Sequence, residues 1–198
     1  KFIVFTDFSK KLFSKIIEKK KIVIKPNFTS PERIKKRLIL KDKFFLFVGR
    51  ISDEKGLDLI IQNLERFSIK IKIIGKGDLV EKINKIKSNK VELLGQLNRQ
   101  DISFYMKNAE CLLFPSKWYE GMPMVLLEAF CLGLPVVSTN FGNIKYIVKD
   151  GYNGLHFDIK KKFDLSYKAN LIFKNKSLRK KLSINCEKEY VKKYSTIK

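Results

Sequence analysis

The sequence predicts an α/β protein built on an open, doubly wound parallel sheet with flanking helices, and three observations point there. Short apolar runs alternate about five times with stretches of helical spacing between Phe44 and Phe157, the pattern of parallel strands joined by crossover helices. The first run, Phe44–Val48, is apolar at every position, as a strand covered on both faces must be. Glycine closes the early runs, at Gly49 and Gly75, where a strand has to turn out of the sheet.

Each element follows from its local pattern. Gly56–Phe67 sets Leu57, Ile60, Ile61 and Leu64 on one stripe, the spacing of a helix that covers a sheet. Ile69–Ile74 alternates with Lys70 and Lys72 and ends at Gly75-Lys-Gly77, a second strand. Helices are expected over Leu79–Ser88, Gln100–Asn108 and Pro123–Leu132; a proline suits the first turn of the last, where an N–H would be unpaired in any case. Strands are expected over Val91–Leu94, Cys111–Phe114, Pro135–Ser138 and Gly154–Phe157, with a helical turn or two at Ile144–Val148. Outside this core lie a strand at Phe2–Thr6, a helical pattern over 9–19, a strand at Lys21–Ile24, and two helical patterns within 162–193. The expected division is 1–41, 42–158 and 159–198, the middle segment forming the sheet domain. The chain opens on Lys1 and enters a strand at once, which reads as an excerpt from a longer protein.

Charge is unevenly spread over these segments. The net charge of +22 divides into +10 for 1–41, +2 for 42–158 and +10 for 159–198. A strong positive balance points to nucleic acid or an anionic membrane, yet the near-neutral centre confines any such partner to the flanks. Almost all of the excess is lysine, with arginine only at Arg33, Arg37, Arg50, Arg66, Arg99 and Arg179, so lysine-rich codon usage explains it equally well. No apolar run is long enough to span a bilayer. Cys111, Cys131 and Cys186 are odd in number and lack the spacing of a zinc site or a disulfide framework, and read as core thiols.

Ligands of such sheets bind beyond the carboxyl ends of the strands, and four of those loops carry chemistry. Gly49-Arg-Ile-Ser-Asp-Glu-Lys-Gly56 places Arg50 and Lys55 before a helix start; two cations and first-turn amides suit a diphosphate, while an Arg50–Glu54 surface pair is the plainer alternative. Gly75-Lys-Gly-Asp-Leu79 has two glycines but Val80 where a dinucleotide fingerprint has its third. Gly95-Gln-Leu-Asn-Arg-Gln-Asp101 could offer backbone to a flat base, though Asn98 capping the next helix accounts for it as well. The fourth, Pro115 to Pro135, holds Glu120 before its helix and Glu128 within it, flanked by apolar residues. A carboxylate buried there needs hydrogen-bond donors, and ribose hydroxyls or a neighbouring backbone or lysine would serve. Gly121 permits close approach of a ligand.

Together these loops resemble the carboxy-terminal domain of the family 4 retaining glycosyltransferases, the glycosyl transferases group 1 of the GT-B fold, whose domain is Rossmann-like. The resemblance rests on F-V-G-R-I-S-D-E-K-G at Phe47–Gly56, I-I-G-K-G at Ile73–Gly77, L-L-G-Q-L at Leu93–Leu97, P-S at Pro115–Ser116, E-G-M-P-M-V-L-L-E-A at Glu120–Ala129, G-L-P-V-V at Gly133–Val137 and D-G-Y-N-G-L at Asp150–Leu155. Glu120 and Glu128 form its E-x7-E hallmark.

The resemblance implies a donor domain for a nucleotide-sugar such as a UDP- or GDP-sugar. Arg50 and Lys55 would hold the diphosphate and stabilise it as it leaves, and Glu120 would face the donor sugar's hydroxyls. Glu128 would accept from the ribose. Gln96 and Leu97 would present backbone to the base, Met124 and Val125 would offer amides to the phosphates, and Gly49, Gly75 and Gly121 would line the site. Pro123 replaces a glycine common in relatives and removes one N–H. No Asp-x-Asp is present, so no metal is expected; fixed positive charge at the leaving group lowers the barrier instead. The resemblance further implies hexosyl transfer in polysaccharide synthesis to a glycan or lipid-linked acceptor. Its acceptor site would lie in an amino-terminal domain absent from this sequence, without which the chain would be inactive. The expected location is the cytoplasm, with the lysine-rich flanks placed to meet the inner face of an anionic membrane. A basic nucleic-acid-binding module and a nucleotide-sugar epimerase of GT-B architecture are the competing readings, and the neutral centre speaks against nucleic acid. His156, the single histidine, is expected to be structural, and Trp118-Tyr119 either to stack on a sugar or base or to pack the loop.

Overall fold

The computed structural model describes residues 1–30 and 40–195. The parts of the outer segments at 31–39, with Arg33 and Arg37, and at 196–198 lie outside the described residues.

The chain begins with a small parallel pair, β1 (Phe2–Val4) and β2 (Ile22–Ile24), joined through α1 (Asp7–Phe13). The main sheet follows as β3 (Phe44–Val48), β4 (Lys70–Ile74), β5 (Val91–Gly95), β6 (Leu112–Phe114), β7 (Val136–Thr139) and β8 (Gly154–Phe157). Between them run α2 (Leu57–Asn63), α3 (Val80–Asn84), α4 (Arg99–Asn108), α5 (Met124–Cys131) and α6 (Ile144–Ile147), and after β8 come α7 (Asp164–Lys174) and α8 (Lys176–Lys193). The six strands are all parallel in the order β5-β4-β3-β6-β7-β8, which is the doubly wound arrangement predicted, with its reversal between β3 and β6.

Residue type explains why β3 is central. Its side chains alternate between two cores, Phe44 and Leu46 on one face and Phe45 and Phe47 on the other, all buried. Leu126, Leu127 and Phe130 of α5 cover the first face, while Leu57 and Ile60 of α2 cover the second with Leu165, Ala169 and Ile172 of α7. At about 25 cal/mol per Å² of apolar surface removed from water, this two-sided burial is the main favourable contribution to folding.

Several local expectations are corrected. The helical stripe from Gly56 is α-helical only to Asn63 and tightens to a 3-10 turn over Leu64–Arg66. The helix expected to Ser88 ends at Asn84. The pattern over 9–19 starts earlier, because Thr6 caps α1 by accepting from the Ser9 amide, and it stops at Phe13. Pro123 is the cap of α5, with extended backbone, rather than its first helical residue.

The lysine-rich carboxy-terminal helices cover more core than their composition suggests. Leu182 of α8 joins one core, and Cys186 and Tyr190 join the other. Beneath the amino ends of the strands, α8 is fixed by two buried carboxylates. Glu110, just before β6, meets Lys43 at 3.1 Å and Arg179 at 2.5 Å. Glu189 takes Lys149 at 2.9 Å and Lys193 at 2.9 Å. The end of α8 is tied to the first segment, where the Tyr190 hydroxyl donates to the Thr29 carbonyl at 2.9 Å.

Candidate functional site

At the carboxyl ends of β3, β4 and β5 the loops lock onto one another through backbone hydrogen bonds. The Gly49 amide donates to the Ile74 carbonyl at 3.0 Å, Ile51 to Lys76 at 2.9 Å and Gly75 to Gly95 at 2.8 Å. Gly75 has φ +150, and a Cβ on it would sit 1.8 Å from the Gly49 carbonyl oxygen; no other residue fits. The same loop from β3 also crosses the strand-order reversal to the loop after β6. A Cβ on Gly56, at φ +75, would meet the Pro115 carbonyl oxygen at 2.1 Å. The Lys117 amide donates to the Glu54 carbonyl at 2.8 Å, and its ammonium reaches Asp58 at 2.9 Å.

Onto this frame the structure brings two of the expected residues directly together. Lys55 Nζ lies 2.5 Å from Glu120 Oε1, which also accepts from the Ser116 hydroxyl at 2.8 Å. The Glu120 carbonyl in turn accepts from Asn143 Nδ2 at 2.9 Å. A cation and a carboxylate so held, one from each side of the reversal, form a polar floor whose charge an incoming ligand can reorganise. Arg50 projects from the same β3 loop with 71% of its side chain exposed, 3.7 Å from Glu54, so the surface pair does form and still leaves the guanidinium accessible.

Beside Arg50 opens a cleft of about 330 Å³ lined by Gly49, Gly75, Gln96, Leu97 and Ile102. Five of the expected residues therefore share one concavity. Gly95 takes φ +69, turning the chain so that Gln96 and Leu97 edge the cleft. Asn98 is the cap of α4, accepting from the Asp101 amide at 2.9 Å, as composition alone indicates.

Glu128 lies elsewhere and is not buried. It lines a second cleft of about 180 Å³ with Arg99, Thr29 and Ile102, with Arg99 at 4.0 Å and 28% of its side chain exposed. The apolar neighbours in sequence point to other sides of α5, so the carboxylate has both solvent and a cation. Ile102 borders both clefts, which makes them adjacent. Between Glu120 and Glu128 in the chain α5 begins, and its first residues Met124 and Val125 supply amides of the kind a helix leaves without internal partners. Gly121 packs toward the Phe5 ring, which would meet a Cβ at 3.5 Å.

Ser116 and Asn143 had no assigned role in the sequence. Ser116 stands four residues before Glu120, a spacing that could have flagged it, whereas Asn143 is distant in sequence and carried no signal. Trp118 and Tyr119 are 64% and 70% exposed, with Tyr119 4.4 Å from the Phe141 ring. His156 is structural, as expected: its Nε2–H donates to the Val148 carbonyl at 2.8 Å. Burial lowers its pKa below the ordinary 6.5, against that hydrogen bond and Asp150. All three cysteines are free thiols. Among the described residues no group of three or more His, Cys, Asp or Glu could hold a metal ion, and no helix is long and apolar enough to cross a membrane.

Residues 28–189 match the family model of the glycosyl transferases group 1. An uncharacterized glycosyltransferase of Methanocaldococcus jannaschii is 36% identical over 156 residues, covering 77% of this chain and 44% of that protein. An α-1,4-N-acetyl-D-galactosaminyltransferase of Campylobacter jejuni, named for a PP-undecaprenol-linked substrate, is 25% identical over 186 residues, 88% of this chain and 51% of its own. The chain thus spans about half the length of these curated relatives or less. In fold, it superposes on an Anabaena protein, HepE in complex with UDP, with a TM-score of 0.84 at 19% identity, over 98% of this chain and 59% of that one.

Proposed function

The chain belongs to the glycosyl transferases group 1 family, and from that premise we propose that it binds the nucleotide-sugar donor of a retaining, metal-independent hexosyltransferase of family 4. The observation that carries this reading is the placement of Arg50, Lys55, Glu120 and the first turn of α5 around the strand-order reversal. The base and ribose occupy the two adjoining clefts, meeting Gln96 and Leu97 in one and Glu128 in the other. The diphosphate lies toward Arg50, Lys55 and the amides of Met124 and Val125, and the sugar toward Glu120.

The chemistry follows from charge. Cleavage of the glycosidic C–O bond leaves the bonding pair on the diphosphate and an oxocarbenium-like sugar. Cations fixed beforehand in a partly dehydrated site stabilise that developing charge at little reorganisation cost. Lys55 is well suited, since it is held by Glu120, whose carboxylate is in turn fixed by the Ser116 hydroxyl. Retention is assigned to attack by the acceptor on the face from which the diphosphate departs. The acceptor, a glycan or lipid-linked saccharide, binds outside residues 42–158.

Calorimetric titration with UDP, GDP and ADP, each with and without EDTA, tests the reading. One diphosphate is expected to bind with the same affinity in both conditions. Binding of none, or binding that EDTA abolishes, sinks it.

We further place the protein in the cytoplasm at the inner membrane face. The outer side of α8 presents Lys180, Lys181, Lys188 and Lys192 around exposed Ile184 and Val191, a composition that favours anionic lipid surfaces. Co-sedimentation with anionic but not neutral vesicles is expected; indifference to lipid charge leaves lysine-rich codon usage as the explanation.

A further inference from the structure

Asn143 is 9% exposed, and both ends of its amide are engaged by groups distant in sequence. Nδ2 donates to the Glu120 carbonyl at 2.9 Å. Oδ1 accepts from the Thr6 hydroxyl and, at 3.0 Å, from the Ser9 hydroxyl. The assignment of N and O is forced, because a carbonyl can only accept. Thr6 is the cap of α1, so its own position is set by the Ser9 amide. Asn143 is thus a crossbar between a capped helix end and the peptide that carries Glu120. Glu120 and Gly121 lie in the loop between β6 and α5, where the Glu120 amide donates to the Trp118 carbonyl at 2.9 Å and Asn27 holds the Met122 carbonyl at 3.2 Å, so that Asn143 is the contact made by the Glu120 carbonyl itself. The Glu120 carboxylate, at the other end of the residue, pairs with Lys55 and Ser116.

We propose that Asn143 is a positioning residue for sugar transfer, fixing the Glu120 backbone so that its carboxylate meets the donor sugar while Lys55 faces the diphosphate. This rests on the reading of Glu120 as a contact of the donor sugar. Losing the crossbar releases one end of Glu120 and leaves the base, ribose and diphosphate contacts in place. The signature is therefore a loss specific to the sugar.

Asn143→Asp separates the two links. It keeps an acceptor for Thr6 and Ser9 but sets a carboxylate oxygen against the Glu120 carbonyl. Asn143→Ala removes both links without adding charge. In the 198-residue chain, affinities for UDP and UDP-glucose, and for GDP and GDP-mannose, are measured together with the backbone nitrogen resonance of Gly121, which belongs to the same peptide unit. Each variant is expected to move that resonance and to weaken the sugar nucleotide about ten-fold more than its diphosphate, the scale of one hydrogen bond to a charged or aligned partner. Simple charge repulsion in Asn143→Asp acts the opposite way, penalising the more highly charged free diphosphate. Equal losses for both ligands, or unchanged affinities, overturn the proposal even if the resonance moves. If the parent chain binds none of the four ligands, the functional reading fails first and this inference with it.

Discussion

At the carboxyl ends of the strands Lys55 and Glu120 keep 26% and 12% of their side chains exposed, whereas along α8 Glu110 and Glu189 keep 5% and 3% and each meets two cations. The chemistry is the same and its consequences differ. A carboxylate sunk beneath the sheet is costly to leave unpaired, so the charges along α8 are committed to the fold. The pair at the site is accessible from one side, joins two loops instead of a helix and a core, and can exchange partners when a ligand arrives. Location relative to the strand ends, more than residue type, decides which ion pairs serve stability and which remain available for binding.

The largest expected effect breaks the committed side. Arg179→Ala leaves Glu110 with Lys43 alone, and because that second cation remains, the loss is about 3 kcal/mol, the lower end for breaking a buried pair. For a chain of this size that lowers the unfolding midpoint by roughly 6–12 °C. Diphosphate affinity, measured well below the midpoint, should be unchanged. A midpoint within a degree or two of the parent contradicts the distinction between the two ends.

The next effect breaks the accessible side. Arg50→Glu alters a side chain that is 71% exposed, so stability should stay within about 0.5 kcal/mol. Diphosphate affinity should fall by about ten-fold or more, the loss of one charge-assisted contact, with little change for the nucleoside. Equal losses for diphosphate and nucleoside would falsify the assignment of Arg50 to the phosphates. Glu128→Gln sharpens the same contrast: the half-exposed carboxylate should lose nucleoside affinity without unfolding, and a variant that unfolds makes Glu128 a structural residue.

The same contrast explains how much could be read from the sequence. The sheet was legible because β3 is apolar at every position and because glycines such as Gly75 stand where another residue would collide with the next loop. Arg50, Gly49, Gly75, Gln96 and Leu97 lie on consecutive loops of that sheet, and the order of strands brings them to one cleft. Contacts between distant segments were not legible. Arg179 finds Glu110 and Asn143 finds Glu120 only after folding, and neither leaves a periodic trace. The apolar sequence neighbours of Glu128 do not show how exposed it is, because on a helix they face other directions and leave the carboxylate 28% exposed beside Arg99. The lysines of α8 hid the fact that Leu182, Cys186 and Tyr190 share its inner side.

The smallest effect is a pH dependence that arises away from the site, and its sign follows from which protonation state the fold prefers. Burial holds the His156 pKa below the ordinary 6.5, so the unfolded chain takes up a proton first as pH falls. Stability from the neutral imidazole is therefore complete above about 6.5 and declines below it, down to the lowered folded value. Glu189 responds at more acid pH. Burial pushes its carboxyl up, but hydrogen bonds from Lys149 and Lys193 outweigh this and leave it below the ordinary 4.5. Its contribution is present above 4.5 and is lost as pH falls through the folded value. Unfolding midpoints between pH 8 and 3 should then decline in two stages. His156→Gln should flatten the upper stage and Glu189→Gln the lower, and Arg50→Glu should alter neither. An upper stage that survives in His156→Gln assigns the pH response to another group and removes His156 from the set of residues committed to the fold.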